Sequence, residues 1–395
     1  MNKLARILCV WEMGSNLGHL ANLKLFIDHA VAKGHTVSLA VRELQNVATV
    51  LDPTSIQLFQ APLIRHSRIP SQSPTISFTQ LIQRQVFADH HELTGLYLAW
   101  QSIFDTVAPD LVIYEHAPSA LVASLHREWQ KWAVGSGFMV PRTDGIFLGV
   151  FPRVAKTEQH YRRLLESEKS LLACINRLQQ DLGRTPIKSV KEIYQQCDQQ
   201  LLLTLPELDH FGIRTDGQYL GIEFSNQGLE PVWPDGSGPK VFAYLGYFPK
   251  LPDILNMLIK RHARVLLYAR SLPSELIARF QDKVCFVDKP VNLSIAFQQA
   301  DYVINHGNHS TAAQSLVAGI PQLLIWTHQE QLFASLRIVK LQRGVLASRH
   351  QSEYESSWEK LTELKRTPAQ FDINQRSTNE HVMKRIKDAF RQAGF

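Results

Sequence analysis

Between residues 241 and 325 short apolar runs alternate strictly with stretches of helical periodicity. The runs cover 241–245, 264–268, 284–287, 302–305 and 322–325, and the stretches between them cover 251–261, 273–281, 293–299 and 310–318. A strand that is apolar at consecutive positions must be buried on both faces, and a helix between two such strands carries the chain back so that they run parallel. The opening of the chain has the same character. An apolar run at 6–11 leads through a glycine turn at 14–18 into 19–33, where Leu20, Leu23, Phe26, Ile27 and Ala30 share one helical face; Gly34 stops that helix and 36–41 forms the next strand. Helices are expected at 79–106, 119–129 and 158–182, with strands at 111–114 after Pro109-Asp110, at 200–205 and at 218–222. The stretch 225–240 contains Asn226, Gly228, Pro231, Pro234, Gly236, Gly238 and Pro239 and reads as a linker.

These patterns predict an α/β protein of two doubly wound, Rossmann-like domains facing a central cleft: 1–224, the linker 225–240, and 241–375. Ligands of such sheets bind at the carboxyl ends of the strands, so residues at strand-to-helix junctions are the candidate sites. Composition closes off other classes. With 395 residues and 45% hydrophobic content the chain suits about two globular domains, and no apolar run approaches the roughly 20 residues of a membrane-spanning helix. The N-terminus lacks the apolar core and small-residue cleavage site of a secretory signal, so a cytoplasmic location is expected. Cys9, Cys174, Cys197 and Cys285 form no C-x-x-C pair and read as core residues or inert thiols.

The net charge of +6 is concentrated in two segments. Residues 333–395 hold 12 Lys+Arg against 7 Asp+Glu, and 153–191 hold 9 against 4, so each carries +5. Interspersed acids favour solvated helical faces, with peripheral contact at an anionic membrane face as the other reading. Nucleic acid is not an expected partner, because no helix-turn-helix, zinc module or RNP-type aromatic strand is present.

The richest stretch is Asn305-His306-Gly307-Asn308-His309-Ser310-Thr311, which runs on through Gln314 to Gly319 and Pro321. A buried strand ends, a small polar turn follows, and a helix begins near Ser310 or Thr311. Free backbone N–H groups and the positive end of the helix dipole then make a phosphate seat, beside which His306 can donate a hydrogen bond. The same residues also suit an ordinary helix cap with a structural histidine. In the first half, Gly14-Ser15-Asn16-Leu17-Gly18-His19 delivers an imidazole at the start of a helix through a turn whose glycines allow close approach of a ligand. Neither G-x-G-x-x-G nor a Walker G-K-[ST] occurs, which argues against NAD and ATP hydrolysis. No D-x-D triplet occurs, so metal ligands for a diphosphate are not expected.

The stretch 306–331 resembles the donor-binding signature of GT-B glycosyltransferases of the UDP-glycosyltransferase family, H-G-G-x-G-T-x-x-E-A-L-x-x-G-V-P followed by P-x-x-x-D-Q. His306, Gly307, Thr311, Leu316, Gly319 and Pro321 match at the family's spacing, and Glu330-Gln331 stands where the family has Asp-Gln. Pro290 lies where the family's P-Q pair begins. Looser similarity covers the rest: Gly18-His19, Pro109-Asp110-Leu111-Val112-Ile113, and Ala243-Tyr244-Leu245-Gly246, which matches the strand and glycine that open the family's second domain. Gln314 replaces a glutamate, Asn308 and Ser310 replace glycines, Trp326 replaces a proline, Ala334 an asparagine, and Asp288 the base-stacking tryptophan of plant members.

The resemblance implies an inverting, metal-independent glycosyltransferase (a hexosyltransferase) with no cofactor beyond its co-substrate, a UDP- or dTDP-sugar. Its acceptor would be a hydroxyl of a small natural product or lipid. His306, Gly307 and the amides around Asn308, Ser310 and Thr311 would hold the diphosphate, Gln314 the ribose, Glu330 and Gln331 the sugar hydroxyls, and Val291 with its neighbours the base. His19 would be the general base, oriented by Glu115 at the end of the strand that begins Pro109-Asp110-Leu111, with His116 as the alternative for that role. Acceptor shape would be set by the loops 62–74 and 142–151. By analogy, 376–395 would form a helix packed back on the first domain. Two other readings remain: a nucleotide-sugar epimerase of the same fold, which would need more carboxylates around the sugar, and a non-catalytic nucleotide-sugar-binding auxiliary subunit.

Overall fold

The computed structural model describes residues 4–15, 17–64, 73–154, 156–224, 227–350, 354–367 and 378–395. Asn16 and most of the 62–74 loop lie outside them. The chain divides into two compact units, one formed by Met1–Pro206, Phe211–Leu220 and Met383–Phe395, the other by Glu207–His210 and Gly221–Val382.

The first unit contains, in chain order, β1 (Arg6–Trp11), α1 (Leu17–Ala32), β2 (Thr36–Val41), β3 (Gln57–Gln60), α2 (Phe78–Gln85), α3 (His90–Val107), β4 (Leu111–Glu115), α4 (Pro118–Ala123), β5 (Gln130–Gly135), α5 (Glu158–Asp181), α6 (Glu192–Gln195), β6 (Gln199–Leu202) and β7 (Gln218–Tyr219). Its strands form one parallel sheet in the order β3-β2-β1-β4-β5-β6-β7. The second unit contains β8 (Lys240–Tyr244), α7 (Leu251–Lys260), β9 (Arg264–Tyr268), α8 (Ser274–Phe280), β10 (Val284–Val287), α9 (Leu293–Gln299), β11 (Tyr302–Asn305), α10 (His309–Val317), β12 (Gln322–Trp326), α11 (Gln329–Lys340), β13 (Gly344–Ser348) and α12 (Glu355–Glu363). Its parallel sheet has the order β10-β9-β8-β11-β12-β13. In each sheet the winding direction reverses once, between β1 and β4 in the first and between β8 and β11 in the second.

One device sets the register at both reversals. Asp110, just before β4, takes the backbone N–H of Arg6 at the start of β1 (2.9 Å), and its own N–H bonds the carbonyl of Arg6 (2.8 Å). Asp301, just before β11, does the same with Lys240 at the start of β8, at 2.8 and 2.9 Å. A one-residue slip would leave these aspartates without their backbone partners and exchange the faces of every side chain on the strand.

The central strands are buried on both faces, as their apolar runs require. Ile7, Leu8, Cys9, Val10 and Trp11 are fully enclosed, and all of β4 is buried. The edge strand β3 is the most exposed of the first sheet. Two apolar clusters, one including Leu255 and Leu267 and the other Phe242 and Phe297, form the core of the second unit. The last helix, α13 (Asn379–Gln392), buries Val382, Ile386, Ala389 and Phe390. Phe390 meets Trp132 of β5 edge-on at 4.9 Å and His29 of α1 at 4.8 Å. The apolar stripe of basic α5, including Leu164, Leu171, Ile175 and Leu178, is likewise buried. Among the described residues no helix is long and apolar enough to cross a membrane.

The helix expected over 79–106 is two helices. Asp89 accepts the N–H of Glu92 (3.0 Å) and the Glu92 carboxylate accepts the N–H of Ala88 (2.6 Å), a reciprocal cap that starts α3 and ends any continuation of α2. The helix expected over 119–129 stops at Ala123, and β5 follows it.

Replacing Phe390 with Ala should cost about 3–5 kcal/mol, because the cavity opens against Trp132 and His29 where the sheet cannot collapse. Chemical denaturation measures this directly; a loss below 1 kcal/mol would show that α13 is not part of the first unit's core.

Candidate functional site

The reversal of the first sheet places the end of β1, the start of α1 and the end of β4 side by side. There Glu115 has no solvent exposure, and both of its oxygens lie on Nδ1 of His19, at 3.0 and 2.8 Å. Asn22, one turn further along α1, donates its amide to Oε1 at 3.1 Å. A carboxylate on Nδ1 requires the Nδ1–H tautomer, so the basic lone pair of His19 lies on Nε2. The ring is stacked on Trp11, with centroids 4.9 Å apart and planes 19° apart. Gly14 has φ +82, and a β-carbon there would fall 2.2 Å from Nε2. Any other residue would therefore displace the ring or cover its basic nitrogen. Gly18, by contrast, lies inside α1 with nothing near its missing side chain.

Next to this pair are two further buried groups. Glu12 accepts the N–H and hydroxyl of Ser119, both at 2.5 Å, and Ser119 accepts Trp100 Nε1 at 2.9 Å. Burial lifts the Glu12 carboxyl to about 7, with the Ser119 bonds opposing the rise. His116 has φ +48, a left-handed conformation that strains a histidine by roughly 1–3 kcal/mol.

The reversal of the second sheet brings together the ends of β8 and β11. Nε2 of His306 accepts the backbone N–H of Gly246 (2.9 Å), and Nδ1 donates to the carbonyl of Ile325 (2.7 Å). Burial keeps this imidazole below its ordinary 6.5, consistent with the neutral tautomer the two partners require. Asn305 and Gln322 tie β11 to β12 through their amides (3.1 Å), while Asn305 also accepts Gly307 N–H (2.7 Å) and Gln322 donates to Ala312 of α10 (2.9 Å). Gly307 has φ +82, and a β-carbon there would meet Ser335 Oγ at 2.2 Å and Gln331 O at 2.7 Å. The turn is thereby pressed against α11, and α10 starts at His309 with no side-chain cap.

Three comparisons with known proteins bear on this arrangement. No family model matches the chain. A glycosyltransferase from Amycolatopsis orientalis, GtfC, is 30% identical over 124 residues, a match that covers 30% of this chain and 29% of that relative's length. The solved kitacinnamycin glycotransferase superposes with a TM-score of 0.69 at 17% identity, covering 99% of both chains. Glycosyltransferase VinC, solved in complex with dTDP, gives 0.60 at 14% identity over 98% of both.

The chain has the GT-B fold.

Within this GT-B chain, the residues singled out from sequence take several kinds of position. His19 and Glu115 are brought into direct contact. Gly14 serves the ring of His19, whereas Gly18 has no such role and Asn16 lies outside the described residues. His306 spends both ring nitrogens inside its own unit, so the hydrogen bond to phosphate expected from it has no N–H to come from. Gln331 is also engaged: its oxygen accepts the N–H and hydroxyl of Thr327 (2.8 and 2.7 Å), and its amide donates to Asn308 (2.8 Å). Gln314 donates to Ser310 Oγ at 2.9 Å, while its Oε1 is buried without a partner. Thr311 is buried in the first turn of α10, and Glu330 is half-buried in the first turn of α11. Pro290 and Asn292 pair with Leu229 through Pro290 O (2.8 Å) and Asn292 N (2.8 Å), so in this parallel bridge the N–H and C=O of Val291 face the other edge.

Sequence reasoning missed Asn22, Glu12, Asn305, Gln322 and Ser335. Asn22 carried a weak signal, being three residues beyond His19 on one helical face; Asn305 opens the 305–311 stretch, where it was read only as the end of a strand, and Glu12, Gln322 and Ser335 lie in no motif.

Glu12 makes a pH prediction. The folded carboxyl holds its proton to about 7, against an ordinary 4.5 when unfolded. Between those values the folded chain binds more protons, so this group's contribution to stability falls as pH rises, by up to about 3 kcal/mol. Glu12→Gln should flatten the decline of thermal stability between pH 5 and pH 8. Parallel melting-temperature profiles for the two proteins would contradict the assignment.

Proposed function

We propose that the chain is an inverting, metal-independent glycosyltransferase that moves a sugar from a UDP- or dTDP-sugar to a hydroxyl of a small-molecule acceptor. The observation that carries this reading is the buried His19–Glu115 pair at the first strand-order reversal, with the tautomer of His19 fixed so that Nε2 is basic. In the transfer, the acceptor oxygen attacks the anomeric carbon as Nε2 takes its proton, and the C–O bond to the β-phosphate breaks with its electron pair leaving on the nucleoside diphosphate. Glu115 steadies the imidazolium that forms. Attack opposite to the departing phosphate inverts the configuration.

The departing charge falls to the first-turn amides of α10 and the dipole behind them. His306 supports this seat indirectly by holding the Gly246 turn against β11. The unpartnered Oε1 of Gln314 is the acceptor for a ribose hydroxyl, a role that a neutral amide fills with one oxygen where a carboxylate would offer two. The backbone of Val291 takes the base. The complex of VinC with dTDP supports a thymidine diphosphate donor. The small-molecule acceptor rests on the kitacinnamycin neighbour and on the aromatic surroundings of His19.

Two measurements test the proposal together. At about 100 times its Kd, dTDP or UDP should stabilise the protein by about 2.7 kcal/mol in a thermal-shift panel. His19→Ala should retain that stabilisation while sugar transfer falls by about 10²–10⁴-fold. Turnover that survives in His19→Ala would remove the base, and the absence of any nucleotide shift would remove the donor site. Release of an epimerised nucleotide sugar without an acceptor would favour the epimerase reading.

A further inference from the structure

His116 is the group at the first reversal that the His19–Glu115 pair leaves unused. It follows β4 directly, and its left-handed backbone is held by its own carbonyl, which accepts the N–H of Met13 at 3.1 Å. That hydrogen bond ties the β4 end to the turn after β1 and sets the imidazole beside His19, with centroids 5.8 Å apart and planes 28° apart. The Phe78 ring lies 5.7 Å and the Phe138 ring 6.0 Å from it. The residue is only 5% exposed, yet neither Nδ1 nor Nε2 has a protein partner. Burial, His19 and Arg42 push its pKa well below 6.5, so the ring is neutral and offers one N–H and one lone pair.

A buried polar ring without partners lowers the stability of the chain that carries it, and a phenylalanine would occupy this aromatic niche without that cost. Strain and unmet hydrogen-bonding capacity at one residue, next to the base, are the marks of a group kept for a ligand. We propose that His116 is a specificity residue: its imidazole hydrogen-bonds a second oxygen on a planar aromatic acceptor whose neighbouring hydroxyl is the one presented to His19. The Phe78 and Phe138 rings would flank the acceptor plane. In this proposal the acceptor would reach the ring by displacing Phe138, which lies in the stretch 136–149, where there is neither helix nor strand. Which oxygen is glycosylated rests on the transfer reading above, whereas the binding preference does not.

Calorimetry on the full chain with 2,3-dihydroxynaphthalene and 2-naphthol isolates the second oxygen. Wild type should bind the diol about 10-fold more tightly. His116→Phe should bring the two affinities together while keeping the 2-naphthol affinity and the dTDP thermal shift. Equal binding of the two probes by wild type, or a preference retained in His116→Phe, would overturn the proposal. Should that variant fail to fold, wild-type protein with ¹⁵N-labelled histidine decides: the His116 ring resonances should move with the diol and not with 2-naphthol, and a ring indifferent to the diol refutes the assignment. Intact diol preference without nucleotide binding or sugar transfer would instead count against the glycosyltransferase reading alone.

Discussion

A carboxylate withdrawn from water must find its hydrogen-bond donors inside the protein, and Glu115 finds them all on α1: the Nδ1–H of His19 and the amide of Asn22. Much of the first unit's local construction serves that meeting. The reversal between β1 and β4 makes the two strand ends neighbours, the Asp110–Arg6 exchange fixes their register, and Gly14 turns the chain so that α1 begins with its imidazole over Trp11. Breaking the grip by removing one partner would leave the other buried and unmatched, which typically costs 3–5 kcal/mol.

The second unit solves a similar problem with neutral groups. At its reversal the Asp301–Lys240 exchange repeats the register device, and the turn before α10 is then held by amides and a neutral imidazole rather than by ions. Each such bond contributes only about 1 kcal/mol, but together they hold Gly307 in contact with α11. The anion seat proposed there would need little reorganisation as charge develops.

Much of this was legible in the sequence because the governing constraints are local. Apolar runs such as 302–305 and the glycine turns that follow them announce buried parallel strands and strand-to-helix junctions, and the motif around Gly307 marks one such junction. The roles of individual side chains were less legible. Whether His306 has an N–H to spare depends on Gly246 and Ile325, far apart in sequence, and the tie between Gln331 and Asn308 joins different elements. The α2–α3 break was written in Asp89 and Glu92, where a capping pattern interrupts an otherwise continuous helical periodicity. His116 was visible only as an alternative to Glu115; its left-handed backbone and unpaired nitrogens appear only in three dimensions.

In the proposed transfer Glu115 acts through His19, fixing which nitrogen is basic. Glu115→Gln keeps the size of the side chain but can turn an N–H toward Nδ1 and so allow the wrong tautomer. Single-turnover sugar transfer by this variant, with dTDP affinity measured in parallel, should fall by about 10²–10⁴-fold while the affinity is unchanged. Transfer at the wild-type rate would contradict the claim outright.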